Sequence, residues 1–129
     1  MTQAIDSVRV VLFEAGANER FLILTEVDDP DNWKLPGGKF EPNETPAVAA
    51  QRELLEELGL AADDVQPRAT AELLNDDGMS KRYIFAATIN PHAIKPSREI
   101  AHTAWLVAAE VPDCRNHDHI LSAVAAARG

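Results

Sequence analysis

The chain predicts an α/β fold: a β-sheet with helices packed on it. Three observations carry this reading. Two β-rich runs open the sequence, a capped helix of about thirteen residues follows, and three further strand candidates precede a last amphipathic helix. The first pair is Ser7 to Glu14 (SVRVVLFE) and Phe21 to Val27 (FLILTEV), joined through Ala15-Gly16-Ala17-Asn18 as a hairpin. Asp28 to Asn32, with Pro30, reads as a loop.

The helix has both of its ends written into the sequence. Thr45 can cap a free backbone N–H, and Pro46 at the first helical position has no N–H to leave unpaired. Gly59 followed by Leu60 is the form of a left-handed stop. Between them the residues are rich in Ala, Leu and Glu, all good helix formers. Downstream, Val65 to Leu74, Arg82 to Asn90 and Ile100 to Val107 are strand candidates, with Asn75-Asp76-Asp77-Gly78 as a turn between the first two. A final helix covers Asp118 to Ala127, its apolar face made of Ile120, Leu121, Val124 and alanines.

At about 100° per residue, with Glu53 at zero, Glu57 falls near 40° and Glu56 near 300°, so three carboxylates share one face. Leu54, Ala47, Leu58, Gln51, Leu55 and Val48 fill the arc from about 100° to about 220°, which predicts a helix that packs through its leucines and presents its glutamates outward. Like charges at these spacings each cost a helix roughly 0.2–0.5 kcal/mol, so something should offset them. A solvated acidic face relieved by Arg52 is the ordinary outcome. A divalent metal site is the alternative, and oxygen-only ligands suit Mg²⁺ or Mn²⁺ rather than Zn²⁺. Just upstream, Leu35-Pro36-Gly37-Gly38 lets the backbone turn sharply and brings carbonyls within reach of a ligand.

The spacing of this region decides between the two. From Gly38 to Leu60 the chain reads GKFEPNETPAVAAQRELLEELGL: Gly38, five residues, Glu44, seven residues, then Arg52-Glu53-Leu54-x-Glu56-Glu57-x-Gly59-Leu60. This resembles the signature box of the Nudix hydrolases at every defined position, and Trp33-Lys34-Leu35-Pro36-Gly37 resembles the family's approach to it. The resemblance sharpens the fold to an α/β/α sandwich with a mixed β-sheet between helices, α/β (α+β) in class. It implies attack of water on a phosphorus of a nucleoside diphosphate linked to another group. Glu53, Glu56 and Glu57 then become metal ligands, completed by a carbonyl of Gly37 or Gly38. Arg52 holds the box carboxylates, Glu44 supports the site, and Glu53 takes the water's proton.

Glu99, in Ser97-Arg98-Glu99-Ile100 before Ala104-Trp105-Leu106, sits where members carry a further ligand or the general base. Lys39 resembles a lysine that contacts phosphate in nucleotide-cleaving members; Lys81 and Arg82 are further bases for that task, though loop bases are usually solvated. Asn43 stands where glycine is common and tolerates the same turn geometry.

Markers that ADP-ribose and dinucleoside polyphosphate members carry downstream of the box are missing from Asn75 to Gly78. What remains is the MutT-like nucleoside triphosphate pyrophosphohydrolase subgroup, acting on an NTP or dNTP, oxidised or otherwise modified included. Glu26 departs from it, since many triphosphate-cleaving members place Lys or Arg there, and Glu26 is a candidate for reading amino groups on a base. The rivals are a pyrophosphatase for ADP-ribose, nucleotide sugars or dinucleoside polyphosphates and, from another class, a non-catalytic nucleotide-sensing module. Such modules commonly lose box glutamates, and all three are present here.

Composition bounds the rest. The 129 residues, 46% of them hydrophobic, suffice for one domain spanning 1–129. No apolar run reaches membrane length and no leader pattern opens the chain, so the expectation is a cytoplasmic protein. One cysteine, Cys114, gives no internal disulfide and reads as a bystander thiol. His117 and His119 lack the partners of a closed zinc site. Trp33 and Trp105 could stack on a base, though edge-of-core packing is the plainer role. The formal charge is −9, and residues 26 to 64 hold eleven acids against three bases. That balance disfavours nucleic acid and suits a small nucleotide reached through bound divalent ions. A homodimer is compatible with the resemblance, but nothing in the chain names an interface.

Overall fold

A computed structural model describes residues 4–128, apart from the side chain of Asn18; the extreme N-terminus and Gly129, counted above in the domain, lie outside the described residues. Its strands are β1 (Ser7–Glu14), β2 (Ala17–Glu26), β3 (Asp29–Lys34), β4 (Gly37–Lys39), β5 (Arg68–Leu74), β6 (Lys81–Ile89) and β7 (Ile100–Leu106). Helix α1 is Pro46–Leu58 and α2 is His117–Arg128. The sheet is mixed, in the order β3-β2-β1-β6-β5. Parallel pairing joins β1 to β6, while β4 lies antiparallel to β1 and β7 antiparallel to β2.

Period-two alternation along β1 divides the core into two layers. Val8, Val10 and Leu12 join Leu22 and Leu24 in packing against Ala50, Leu54 and Leu58 of α1. Val11 and Phe13 turn the other way and join Phe21 and Ile23 against Ile120, Ala123 and Val124 of α2. The result is the α/β/α sandwich, and truncating to alanine a fully buried Leu54 in the first layer or Ile23 in the second should cost about 2–5 kcal/mol. Among the described residues no helix is long and apolar enough to cross a membrane.

Two segments depart from the sequence reading. Asp28 to Asn32 is largely strand rather than loop: β3 starts at Asp29 after a two-residue Val27-Asp28 turn and pairs with β2 through Leu24↔Lys34 and Glu26↔Asp29. Its Pro30 is tolerated because β3 ends the main strand order. Gly37 and Gly38 form the short strand β4 rather than a plain turn, with Gly37 opposite Arg9 and Gly38 opposite Val8.

Both follow from a fork. β1 and β2 pair beside their hairpin, at Phe13↔Phe21 and Glu14↔Ala17, and then take different neighbours, β4 and β3 respectively. The Leu35-Pro36 connection enters the fork, where the Pro36 carbonyl accepts the Val10 N–H at 2.9 Å and the Leu35 carbonyl accepts Nη1 of Arg9 at 2.9 Å.

Other boundaries move by one to four residues. β2 begins at Ala17, β5 at Arg68 and β6 at Lys81, while α2 runs one residue further at each end than expected.

Candidate functional site

Helix α1 spans the predicted thirteen residues. The Thr45 hydroxyl accepts the Val48 N–H at 3.3 Å, Pro46 opens the first turn, and Gly59 stops the helix at φ 68°. Asn43, in the turn before it, adopts φ 63°, the left-handed geometry expected of it.

The side of α1 that packs shares only Leu54 and Leu58 with the predicted stripe. With Glu53 again at zero, the buried residues Ala49, Glu53, Glu57, Ala50, Leu54 and Leu58 run from about 320° round to about 140°. Val48 and Leu55 are each 54% exposed. The buried stripe is therefore turned by roughly 110° toward the glutamates. The cause is β4, whose glycines let the carboxylates lie against its backbone. A Cβ on Gly38 would stand 2.7 Å from Oε1 of Glu53. The Gly37 N–H donates to Oε1 of Glu57 at 2.9 Å. Gly37 itself has φ 141°, and a Cβ there would meet the Val8 carbonyl oxygen at 2.0 Å. The sequence reading offered these glycines for their carbonyls; what the fold displays is close approach and an N–H donor.

Arg52 stands at the centre of the acidic cluster. Its Nε donates to Oε2 of Glu44 at 2.6 Å and its Nη2 to Oε1 of Glu44 at 2.9 Å, a bidentate pair. Nη1 reaches Oε1 of Glu53 at 2.9 Å and Oε2 of Glu56 at 3.2 Å, and Nη2 also reaches the Lys39 carbonyl at 3.1 Å. Glu44, buried beside this guanidinium and accepting the Glu41 N–H, is held below the usual carboxylate range. Burial pushes Glu57 up to about 7, a rise that the Gly37 N–H resists and the charge of Glu53 reinforces. Glu53 is raised as well, chiefly by burial, against the pull of Arg52.

Two mutually repelling carboxylates are thus packed against a glycine strand. The second oxygens of Glu53, Glu56 and Glu57 accept no hydrogen bond among the described residues. Among those residues no three His, Cys, Asp or Glu side chains converge as a ready-made metal cage, and Glu56 pairs with Arg52 at the surface. The donor set nevertheless fits a hard divalent cation. It is all oxygen, it has spare lone pairs, and its two buried members carry raised proton affinities that a cation would relieve.

The remaining candidates are spread around this cluster. Glu99 is exposed in the loop before β7, with its side chain free of hydrogen bonds among the described residues. That loop is tied to the end of α1: Lys95 N–H donates to the Leu58 carbonyl at 2.7 Å and Ser97 N–H to the Glu57 carbonyl at 2.9 Å. Lys39 is exposed at the end of β4. Glu26 is ion-paired with Lys34 across the β2–β3 pair. Both line a cleft of about 450 Å³ with Arg9, Asp28, Asn32 and Arg115. Cys114, half-buried, contacts the Trp33 carbonyl, and both tryptophans pack at the edge of the core. His117 faces the Pro112 carbonyl and His119 pairs with Asp76.

One residue escapes the sequence reading, and another, placed correctly at the start of a strand, is more buried than a solvated base would be. Arg9 lies on the α2 side of β1, bonded to Leu35 and close enough to Glu57 and Glu53 to feel both charges. Arg82, weighed as a solvated loop base, is 7% exposed on β6. The available signal was their register: each is a charged residue in phase with inward-facing apolar ones, Val11 and Phe13 for Arg9, Ile84 and Ala86 for Arg82.

Comparison with known proteins falls in line with this architecture. The family model described as NUDIX domain matches residues 4–124. A candidate 8-oxo-dGTP diphosphatase of Mycobacterium tuberculosis is 34% identical over 90 residues, covering 66% of this chain and 42% of that protein. The human diphosphoinositol polyphosphate phosphohydrolase 2 is 31% identical over 77 residues, covering 60% of this chain and 42% of its own length. The chain thus spans less than half the length of these relatives. Among solved structures, an Ap4A hydrolase of C. elegans superposes with a TM-score of 0.76 at 20% identity, over 95% of this chain and 94% of that one.

Proposed function

The chain belongs to the NUDIX domain family, and from that premise we propose that it hydrolyses a nucleoside diphosphate linked to another group, most specifically a (d)NTP or modified (d)NTP, to the monophosphate and pyrophosphate. The observation that carries the proposal is the cluster of Glu44, Glu53, Glu56 and Glu57 organised by Arg52 against the glycine strand.

In this reading Glu53, Glu56 and Glu57, with a carbonyl of Gly37 or Gly38, hold Mg²⁺ or Mn²⁺. The cation, when bound, supplies polarisation of the phosphoryl oxygens and acidifies water. The other roles belong to the chain. Arg52 fixes the directions of Glu53 and Glu56 while Glu44 fixes Arg52, the kind of outer support that keeps a reacting geometry in place. Gly37 N–H orients Glu57. As the water oxygen bonds to phosphorus and the bridging oxygen leaves with pyrophosphate, Glu53 accepts the water's proton; its raised proton affinity suits a base better than that of an ordinary exposed carboxylate. Glu99 is the second candidate base, brought in by the loop that Ser97 ties to Glu57. Lys39 contacts phosphate, and Glu26, on the cleft wall, reads the base.

The test is a panel of NTPs, modified dNTPs, ADP-ribose, nucleotide sugars and dinucleoside polyphosphates, with and without Mg²⁺, with products separated by chromatography. NMP and pyrophosphate should appear only with metal, and Glu57→Gln should lower turnover about 10³-fold, since losing one charged group at such a centre removes several kcal/mol of transition-state stabilisation. Cleavage confined to sugar or dinucleotide substrates would replace the triphosphate assignment. Binding without turnover would point to a nucleotide-sensing module.

A further inference from the structure

We infer that a small pocket beneath α2, on the side of β1 away from α1, binds a phosphoryl group of the substrate that lies outside the cleaved linkage. This inference rests on the hydrolase reading for the source of the group.

The pocket has a volume of about 130 Å³, and Ser7, Arg9, Lys34, Asn75, Arg82 and His119 are among the residues that line it. Its floor is unusual for a protein of net charge −9. Arg9 donates to the Leu35 carbonyl and Arg82 to Oδ1 of Asn75 at 3.1 Å; among the described residues neither has a carboxylate within ion-pair distance. Nε of Arg82 is buried and has no hydrogen-bond partner among those residues. The two guanidiniums also repel each other, and burial lowers the proton affinity of both. Leaving a buried guanidinium donor unmatched costs the fold free energy, so a ligand that accepts from it and carries negative charge removes two penalties together.

Size and chemistry select the ligand. Pockets that take whole small molecules measure roughly 300–1,000 Å³, so this one suits a single group rather than a nucleoside. A guanidinium matches an oxyanion of phosphate through paired N–H donors, whereas a neutral base edge would leave both arginines without an ion-pair partner.

Position supplies the link to the reaction. The pocket shares Arg9, Lys34 and Asn116 with the larger cleft that Glu26 lines. Leu35-Pro36-Gly37 separates it from the carboxylates: the Leu35 carbonyl receives Arg9 on one side and the Gly37 N–H holds Glu57 on the other. A substrate lying in the cleft can therefore place one phosphoryl group at Glu53 and Glu57 and another at Arg82.

The experiment follows the arginine Nε–Hε resonances of ¹⁵N-labelled, metal-free protein in EDTA while inorganic phosphate is added, with chloride at equal ionic strength as control. The Arg82 resonance should shift saturably with phosphate and not with chloride. Arg82→Gln should weaken phosphate binding at least tenfold. Ser7→Glu, which places a carboxylate at the pocket and leaves Arg82 in its strand, should do the same, so that a folding defect in the first variant does not decide the matter. A non-hydrolysable α,β-methylene nucleoside triphosphate, added with Mg²⁺, should displace the phosphate. No saturable shift, or unchanged affinity in a folded variant, would overturn the pocket, and phosphate and analogue bound together would overturn its assignment to substrate. Turnover on the nucleotide panel is scored separately. Phosphate binding at Arg82 without any turnover would uphold the pocket and remove the hydrolase reading, while turnover without a response at Arg82 would do the reverse.

Discussion

The two sides of the Leu35-Pro36-Gly37 connection handle charge in opposite ways. On the α1 side one guanidinium, Arg52, meets Glu44, Glu53 and Glu56, and Glu57 lies beside them on a backbone N–H. On the α2 side two guanidiniums, Arg9 and Arg82, share a pocket with carbonyl and amide partners. The first side has a surplus of acceptors, the second a surplus of donors. Placed back to back, the two sides are what the proposed grip on a metal–phosphate assembly rests on.

The acidic side should break most severely at Arg52. Removing it strips both bonds from the buried Glu44 and frees Glu53 and Glu56 to repel. Arg52→Gln should lose about 4 kcal/mol of stability, because the charge left behind is buried and unpaired. Urea denaturation measures this, and a loss under 1 kcal/mol would mean that Glu44 finds solvent instead. Lysine should not restore the site fully, since it lacks the planar fork that meets Glu44 twice.

The two glycines between the sides should fail differently. Gly37→Ala drives a Cβ into the Val8 carbonyl at a backbone conformation that L-residues rarely adopt, and about 3 kcal/mol of stability should go with it. Gly38→Ala meets the flexible end of Glu53, which can swing aside. That variant should keep most of its stability and lose metal-dependent turnover. Equal stability losses in thermal melts of the two would show that Glu53 is as rigid as the backbone.

How much of this contrast could be read beforehand follows from how local each part is. The α1 side was legible down to single residues, because Thr45, Pro46, Gly59 and the Arg52–Glu57 spacing are determined within two turns of helix. The face on which α1 packs was not: its apolar arc pointed to Val48 and Leu55, and the outcome depended on a three-residue glycine strand brought in by the fork between β1 and β2. β3 was hidden by Pro30 and two aspartates, which suit an edge strand as readily as a loop. The basic pocket gathers Arg9, Lys34, Arg82 and Asn116 from three strands and the segment before α2, and no local pattern announces such a meeting. Only the alternation of each strand held a hint, an arginine where the inward phase calls for an apolar side chain.

Proton linkage offers a gentler way to sharpen the comparison. Native metal-free protein holds a proton on Glu57 up to about pH 7, whereas the unfolded chain releases it near 4.5. Stability contributed by that proton is complete below about pH 4.5 and is lost as the pH climbs through 7. Glu57→Gln has nothing to ionise and should keep the bond from Gly37 through its amide oxygen. In EDTA the variant should therefore exceed the wild type by roughly 2–3 kcal/mol at pH 8 and match it at pH 4.5. Urea titrations at the two pH values decide this; a gap of the same size at both would trace the effect to packing instead of charge. Added Mg²⁺ should narrow the gap at pH 8, because a bound cation stabilises the ionised wild type alone.

The smallest expected effect belongs to Glu99. Its side chain is exposed and free of hydrogen bonds among the described residues, so nothing there fixes its direction, whereas Glu53 is buried, raised in proton affinity and oriented by Arg52. Glu99→Gln should accordingly lower kcat by less than tenfold, and Glu53→Gln by far more. The loop around Glu99 is nonetheless bound to the last turn of α1 through Lys95 and Ser97, which ties its segment to the backbone of Glu57. The pH profiles of the two variants separate these cases. If Glu53 is the base, Glu99→Gln keeps the acidic limb of kcat where the wild type has it. A fall of a hundredfold or more in Glu99→Gln, with that limb abolished, would move the proton acceptor from the helix to the loop and leave Glu53 to the metal alone.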